Sequence, residues 1–265
     1  MFIINSFKIP TLLTLIALPW FSDSKTITFA VDDYCPYYCK DSNSPHGKFS
    51  NKPGFIIEIL NEAFLTLDVD VKYTFLPWER GITEVHKNSI NGIIIASKSN
   101  APDLIYPEQE QASSIGCFVT QTNNPWRYSS KQSLKNMRLG VIQGYDYGEP
   151  VDSFIWEHYQ PDNNIAIIAG ERALPRLLHM LVKKRIDTVI EDKNVLLHSI
   201  KANDLEQQLV LANCTQSRVS LYVAFSPKNP ESKRYAKIVS NAMTTLRESG
   251  ELARILAKYN IVDWL

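Results

Sequence analysis

Short, mostly apolar runs alternate with segments of helical periodicity from Lys25 to Lys184, and few architectures accept that order. Thr26-Ile-Thr-Phe-Ala-Val31 reads as a buried strand closed by the polar pair Asp32-Asp33. Pro53-Gly54 then opens a helix that puts Phe55, Ile56, Ile59, Leu60 and Ala63 on one face. Val69 to Phe75 alternates as a strand, Trp78 to Lys87 forms a short helix, and Ile93-Ile-Ile-Ala96 is apolar on both faces. Strands apolar on both faces need cover on both sides, which a parallel sheet between helices supplies. The order then restarts with a strand over Arg138–Ile142, the turn Gly144-Tyr-Asp-Tyr-Gly148 and a helix from about Val151. Ile165 to Ala169 is the next strand, Ala173 to Lys184 a helix and Thr188 to Ile190 a strand. Helices over Glu231–Arg247 and Glu251–Lys258 close the chain. Two α/β units in series, each too small for a typical separate protein, predict an α/β fold of two lobes.

The sequence has 265 residues, enough to bury a core in each lobe. Its 28 basic and 28 acidic side chains cancel, so no net field favours nucleic acid or an anionic membrane. Residues 1–24 read as a secretory signal peptide: Lys8 precedes an apolar run from Ile9 to Phe21, and Ser22 and Ser24 lead to a cut near Lys25. The run is shorter than the roughly 20 residues that span a bilayer; the alternative is an uncleaved anchor. No cysteine follows it until Cys35, so no lipid attachment is expected and the mature chain is read as periplasmic.

An oxidising compartment suits the four cysteines, Cys35, Cys39, Cys117 and Cys214. Three pairings exist. The preferred one joins Cys35 to Cys39 across a short loop and Cys117 to Cys214 far apart in sequence, against the alternative of four buried thiols. The histidines at 46, 86, 158, 179 and 198 have no ligand spacing beside these cysteines, so neither zinc nor another metal is expected.

Two segments carry a family resemblance. One is Tyr222-Val-Ala-Phe-Ser-Pro-Lys-Asn-Pro230 with the closing stretch Leu246-Arg-Glu-Ser-Gly-Glu-Leu-Ala-Arg-Ile-Leu-Ala-Lys-Tyr259. The other is Arg185-Ile-Asp-Thr-Val-Ile-Glu-Asp192. Both resemble the type II periplasmic solute-binding proteins of ABC transporters, in particular the polar amino-acid-binding group (family 3), and the likeness covers nearly the whole mature chain. It implies a periplasmic-binding-protein type II fold in which each lobe is a mixed, mostly parallel sheet flanked by helices. A two-segment hinge would join lobe 1, at 25–113 and 217–265, to lobe 2, at 114–216, with crossings near Gln111–Gly116 and Cys214–Val219. It also implies a monomer that binds a small molecule without a cofactor and passes it to an ABC permease of the inner membrane.

In open α/β sheets a ligand sits beyond the carboxyl ends of the strands, and the loops at 32–38, 76–80, 97–100 and 143–147 leave such ends, as does Asp192. By the resemblance, Tyr34 stacks on the ligand and Trp78 forms the opposite wall, where a flat ring excludes water at small conformational cost; Trp78 has packing at the hinge as its alternative. Asp192 would pair with a ligand ammonium group or, alternatively, cap the helix that begins before Asn194-Val-Leu-Leu. The Gly144-Tyr145-Asp146 turn would offer backbone N–H groups to a carboxylate, and Ser97, Lys98 and Ser99 would complete the first-lobe contacts. The family's usual Thr-Pro-Glu-Arg after the central first-lobe strand is replaced by Ser97-Lys-Ser-Asn-Ala-Pro-Asp103, and no arginine lies between Arg80 and Arg127. A guanidinium fork on a carboxylate has no equivalent substitute; Lys98 or Arg80 supplies at most a single positive charge. The expected ligand is a small polar molecule, amino-acid-like or amine-bearing; the missing fork counts against an ordinary L-amino acid and leaves an amine, polyol, sugar derivative or modified amino acid open.

Three function classes remain: a solute-binding protein, a periplasmic sensor lobe on the same fold, and a dehydratase-like enzyme using Glu191, Asp192 and Lys98 as acid and base. The sequence has no nucleophile elbow, phosphate-binding Gly-rich loop, zinc helix or Ser-Xaa-Xaa-Lys motif. The solute-binding reading leads, and no enzyme activity is expected.

Overall fold

The computed structural model describes residues 25–41, 49–65, 67, 69–158 and 164–265. The signal-peptide reading of 1–24 and His46 lie outside them. In chain order the elements are β1 (Lys25–Val31), α1 (Phe55–Phe64), β2 (Val69–Phe75), α2 (Trp78–Lys87), β3 (Gly92–Ala96) and β4 (Ala112–Gln121). A short 3-10 turn at Lys131–Leu134 leads to β5 (Leu139–Ile142), α3 (Val151–His158), β6 (Ile165–Ile168), α4 (Ala173–Val182), β7 (Thr188–Asp192) and α5 (Lys193–Ala202). The chain closes with β8 (Leu209–Phe225), α6 (Ser232–Glu248) and α7 (Glu251–Ala257).

The strands line up in the order β2-β1-β3-β8-β4-β7-β5-β6. β1 is parallel to β2 and β3, and β5 is parallel to β6 and β7, so each end of the array is a parallel sheet. Antiparallel pairs join them in the middle: β3 on the last residues of β8, β4 on β8, and β4 on β7. The architecture is the two-lobed type II form with mixed sheets. The strands that join the lobes, β4 and β8, pair from Ala112 opposite Leu221 to Gln121 opposite Leu209, with register shifts on both sides of Cys117.

Helix burial follows sequence periodicity. Ile56, Ile59, Leu60 and Phe64 of α1 are buried with Phe29, Phe225, Tyr235 and Val239, which fixes α1 and α6 on one face of the first sheet. Val85 of α2 covers the other face with Ala30, Ile93 and Ala224. In the second lobe Leu177, Leu178 and Leu181 of α4 and Leu196 of α5 pack on Val189, while Phe118, Tyr128, Val141, Phe154 and Ile190 fill the opposite side. Each such large apolar side chain contributes roughly 1.5–3 kcal/mol by leaving water. Gly54 begins α1 at φ 106, where a Cβ would stand 2.4 Å from the Tyr37 carbonyl oxygen; no other residue type lets α1 start against that loop.

Disulfides join Cys35 to Cys39 and Cys117 to Cys214, the preferred pairing. The second one ties β4 to β8, where these two residues face each other in register. Among the described residues no helix is long and apolar enough to cross a membrane, and no cluster of three His, Cys, Asp or Glu is arranged to hold a metal ion.

Candidate functional site

Where the two lobes meet, a cavity of about 60 Å3 opens between them. Tyr34, Tyr38, Trp78, Ile95, Ser97 and Asn100 border it from one side, Tyr145 and Asp146 from the other, and Ser114, Val219 and Leu221 come from the joining strands. Strand ends set these positions. Tyr34 follows β1 and is pinned by reciprocal backbone bonds with Tyr38 around the Cys35–Cys39 loop, both 3.2 Å. Trp78 is the first residue of α2, directly after Pro77. Ser97 follows β3 and is clasped by Asn100, whose side-chain oxygen accepts from the Ser97 amide at 3.1 Å. Tyr145 and Asp146 lie in the turn after β5, which starts at Gly144 with φ 78. A Cβ on Gly144 would come within 2.9 Å of Glu79 on α2, so a glycine lets the turn approach the opposite lobe.

Side-chain hydrogen bonds cross the seam at several places. Tyr34 donates its hydroxyl to Glu191 Oε1 at 2.8 Å. Ser97 donates to Asp146 Oδ2 at 2.9 Å, and Ser99 donates to the same oxygen. Farther out, Lys40 reaches Glu171 at 3.5 Å. The ring of Tyr34 also meets Tyr145 edge-on, with centroids 6.0 Å apart. Both lobes therefore contact each other around the cavity rim in a closed arrangement.

The carboxyl groups behind these contacts are held in unequal states. Burial drives Glu191 up to about 8, against the pull of the Asp192 amide and the Tyr34 hydroxyl; its Oε2 is buried without a hydrogen-bond partner. Burial would also raise Asp146, but the hydroxyls of Ser99 and Ser97, the neighbouring Asp152 and the Gly148 amide outweigh it and hold Asp146 below its ordinary value. Asp152, buried and beside Asp146, is pushed up to about 7. The pair accordingly carries its first charge on Asp146, and Asp152 loses its proton only around neutral pH. Burial raises the Tyr34 and Tyr145 phenols well above their ordinary range, and the Glu191 charge adds to it.

Of the residues singled out in the sequence, Tyr34, Trp78, Ser97 and Tyr145 border the cavity. Ser99 and Gly144 stand at the seam, through Asp146 and Glu79 respectively. Lys98 lies over the Tyr222 ring at 4.8 Å and the Tyr106 ring at 5.9 Å, and Arg80 is exposed on α2; neither borders the cavity. Asp192 is the N-cap of α5: Oδ1 accepts from the amides of Asn194 at 2.8 Å and Val195 at 3.1 Å, and Oδ2 from the Ser114 hydroxyl at 2.8 Å. Burial raises its pKa against these donors and Tyr37. Asp192→Ala leaves two helix amides and the half-buried Ser114 hydroxyl without acceptors and is expected to cost about 1–3 kcal/mol of stability. Urea unfolding measures it, and an unchanged midpoint would refute the capping role.

Tyr38, Asn100 and Ser114 border the cavity without having been singled out as ligand contacts, and Asp146, read only as part of the Gly144 turn, brings its carboxylate to it. Tyr38 was legible in one respect, since the short disulfide loop Cys35–Cys39 returns the chain to the same strand end. Ser114 lies within β4, whose length the polar pair Ser113-Ser114 conceals.

No protein-family model matches the sequence, and no curated protein matches it. Solved structures do, by shape: the chain has the periplasmic-binding-protein type II fold shared by amino-acid-binding proteins of ABC importers and related domains. A structure from the glutathione-import system of Streptococcus mutans, GshT with the cystine ABC importer TcyBC, superposes with a TM-score of 0.72 at 20% identity, over 89% of this chain and 95% of that one. An ancestral arginine-binding protein bound to arginine gives 0.71 at 18% identity, covering 89% of this chain and 98% of its own. A histidine kinase sensor domain similar to periplasmic binding proteins gives 0.71 at 17%, covering 90% and 97%.

Proposed function

We propose that this protein captures a small polar solute, amino-acid-like or amine-bearing, between its lobes outside the cytoplasm and delivers it to an ABC permease of the inner membrane. The observation that carries this reading is the cavity at the seam, whose walls come from both lobes and from the strands that join them. A ligand in such a position stabilises closure because it touches both sides at once. Tyr34, Trp78 and Ser97 serve as first-lobe contacts and Tyr145 as a second-lobe contact. Gly144 and Ser99 allow and latch the approach of the lobes. Asp192 acts indirectly, by holding α5 and the Ser114 hydroxyl in place. The hinge divides the chain into 25–113 with 217–265 and 114–216, within β4 and β8. The protein works as a monomer and without a cofactor. We assign it no reaction: Asp192 has both oxygens engaged, and Lys98 lies outside the cavity.

Isothermal titration of the purified protein against amino acids, amines, sugars and organic acids tests this reading. Small-angle scattering follows closure, and mass spectrometry checks that the ligand is recovered unaltered. Binding with compaction is expected; turnover of the ligand would overturn it. The sensor reading draws support from the histidine kinase sensor domain of the same shape. It is favoured if ligand binding recruits a signalling partner while a permease fails to take up the solute.

The latch makes a separate prediction. Ser97→Ala with Ser99→Ala removes both hydroxyl donors from Asp146. Hydrogen bonds to a charged group contribute about 1.5–3 kcal/mol each, so the ligand-free closed population is expected to fall at least about tenfold. Scattering would register a larger radius of gyration without ligand; an unchanged radius would mean that the hydroxyls do not hold the lobes together.

A further inference from the structure

The chemistry of the cavity wall narrows the ligand, an inference that rests on the solute-binding reading above. Among the described residues that border the cavity, Asp146 alone carries a formal charge, and that charge is negative. Four aromatic rings surround the same space: Tyr34, Tyr38, Trp78 and Tyr145. Their faces and edges suit a positive head group, which gains most where water is excluded.

Hydroxyl and amide donors around the cavity are in several places committed to the protein's own carboxylates. Ser97 and Ser99 donate to Asp146 Oδ2, and the Gly148 amide donates to Asp146 Oδ1 at 2.9 Å. The Tyr147 amide donates to Asp152 Oδ1 at 3.2 Å. The Ser114 hydroxyl and the first amides of α5 are spent on Asp192. A ligand carboxylate that used these donors would have to displace one of these acids, and anywhere on this wall it would stand near the Asp146 charge, like charge against like charge. The nearest lysine on this rim, Lys98, is turned onto the Tyr222 and Tyr106 rings.

We propose that the cleft selects an organic cation that lacks a carboxylate, with its amine or quaternary ammonium head among Tyr34, Tyr38, Trp78 and Tyr145 and Asp146 as its counter-charge. Selectivity arises because an amine head finds an aromatic cage and a fixed anion, whereas an amino-acid head brings a carboxylate to a wall that offers no cationic partner and already carries the Asp146 charge.

Calorimetric titration of the full exported protein with matched pairs tests this directly: agmatine against arginine, putrescine against ornithine, choline against glycine betaine. In at least one pair the carboxylate-free cation is expected to bind more than tenfold tighter than its counterpart. Asp146→Asn, which keeps the shape of the side chain, is expected to weaken that binding tenfold or more. Trp78→Leu leaves the hydrogen bonds across the seam intact and is expected to do the same. A carboxylate-bearing member that binds equally or better overturns the proposal while leaving solute binding in place. So does binding of a neutral sugar alone, or full affinity in Asp146→Asn. Absence of binding by any solute, together with no compaction in scattering, removes the solute-binding reading itself and the proposal with it.

Discussion

Replacing Cys117 and Cys214 together with alanine will lower the unfolding free energy of the oxidised protein by about 4–5 kcal/mol. The bridge spans 97 residues of sequence, and in the chain-entropy account a loop of that length loses far more freedom in the unfolded ensemble than a short one. The Cys35–Cys39 bridge spans a separation of 4, for which the same relation gives only about 2 kcal/mol. The two bridges therefore make an internal control: both double substitutions remove a disulfide, but only one closes a long loop. Alanine is the right replacement at Cys117, which is fully buried, because serine would bury a hydroxyl without a partner. Urea unfolding under non-reducing conditions measures the difference. Equal losses for the two pairs would show that loop length does not govern the effect. The position of the long bridge has a further consequence. It couples β4 to β8 at the second-lobe end of the joining strands, so its loss also frees the two strands to slide past each other, and closure should become less cooperative in scattering titrations.

Most elements were legible because their burial is periodic. β2 and α2 occupy the spans read from the sequence, and β1, β3, α4 and α6 differ only at their ends. The long strands β4 and β8 were legible only as crossing segments. Their stretches between the lobes read Ser113-Ser114 and Thr215-Gln216-Ser217-Arg218, polar and without alternation, because they run between lobes instead of through a core. The rule that ligands gather at strand ends placed Tyr34, Trp78, Ser97 and Tyr145 around one cavity. It gave no means of orienting the long side chains: Lys98 neighbours Ser97 in sequence but points to the opposite side, onto Tyr222. Nor could it reveal that Asp146 meets Ser97 and Ser99 across the seam, since that pairing exists only when the lobes are together. Asp192 illustrates the remaining ambiguity. A carboxylate at a strand end that also precedes a helix satisfies a capping pattern and a ligand pattern alike, and only the three donors around it distinguish them.

Glu191→Gln will remove a pH dependence worth about 4 kcal/mol between pH 5 and 8. Glu191 is 2% exposed, accepts from the Tyr34 hydroxyl and the Asp192 amide on Oε1, and has an unpartnered Oε2. Burial raises it from an ordinary value of 4.5 to about 8 in the folded protein. Between those values the folded state holds a proton that the unfolded state has released, so stability falls as pH rises, by about 1.4 kcal/mol per pH unit. Below the lower value both states are protonated and the contribution is constant; above the upper one both are ionised and it is lost. Glutamine keeps the oxygen that accepts from Tyr34 and Asp192 but cannot ionise, so the variant escapes the decline. At pH 5 it is expected to be slightly less stable than the parent, because its amide N–H groups lack a partner, and by pH 8 the order reverses. Asp32, raised to about 6, and Asp152, raised to about 7, titrate in the same direction, but both remain in the variant and cancel in the difference. Urea unfolding of the two proteins at pH 5, 6.5 and 8 reads it out, and parallel curves would sink the assignment of a protonated Glu191. Because the Tyr34–Glu191 bond spans the seam, ionisation also places an uncompensated charge at the interface of the closed form, so the same pH rise should loosen closure in the parent and leave it unaffected in Glu191→Gln.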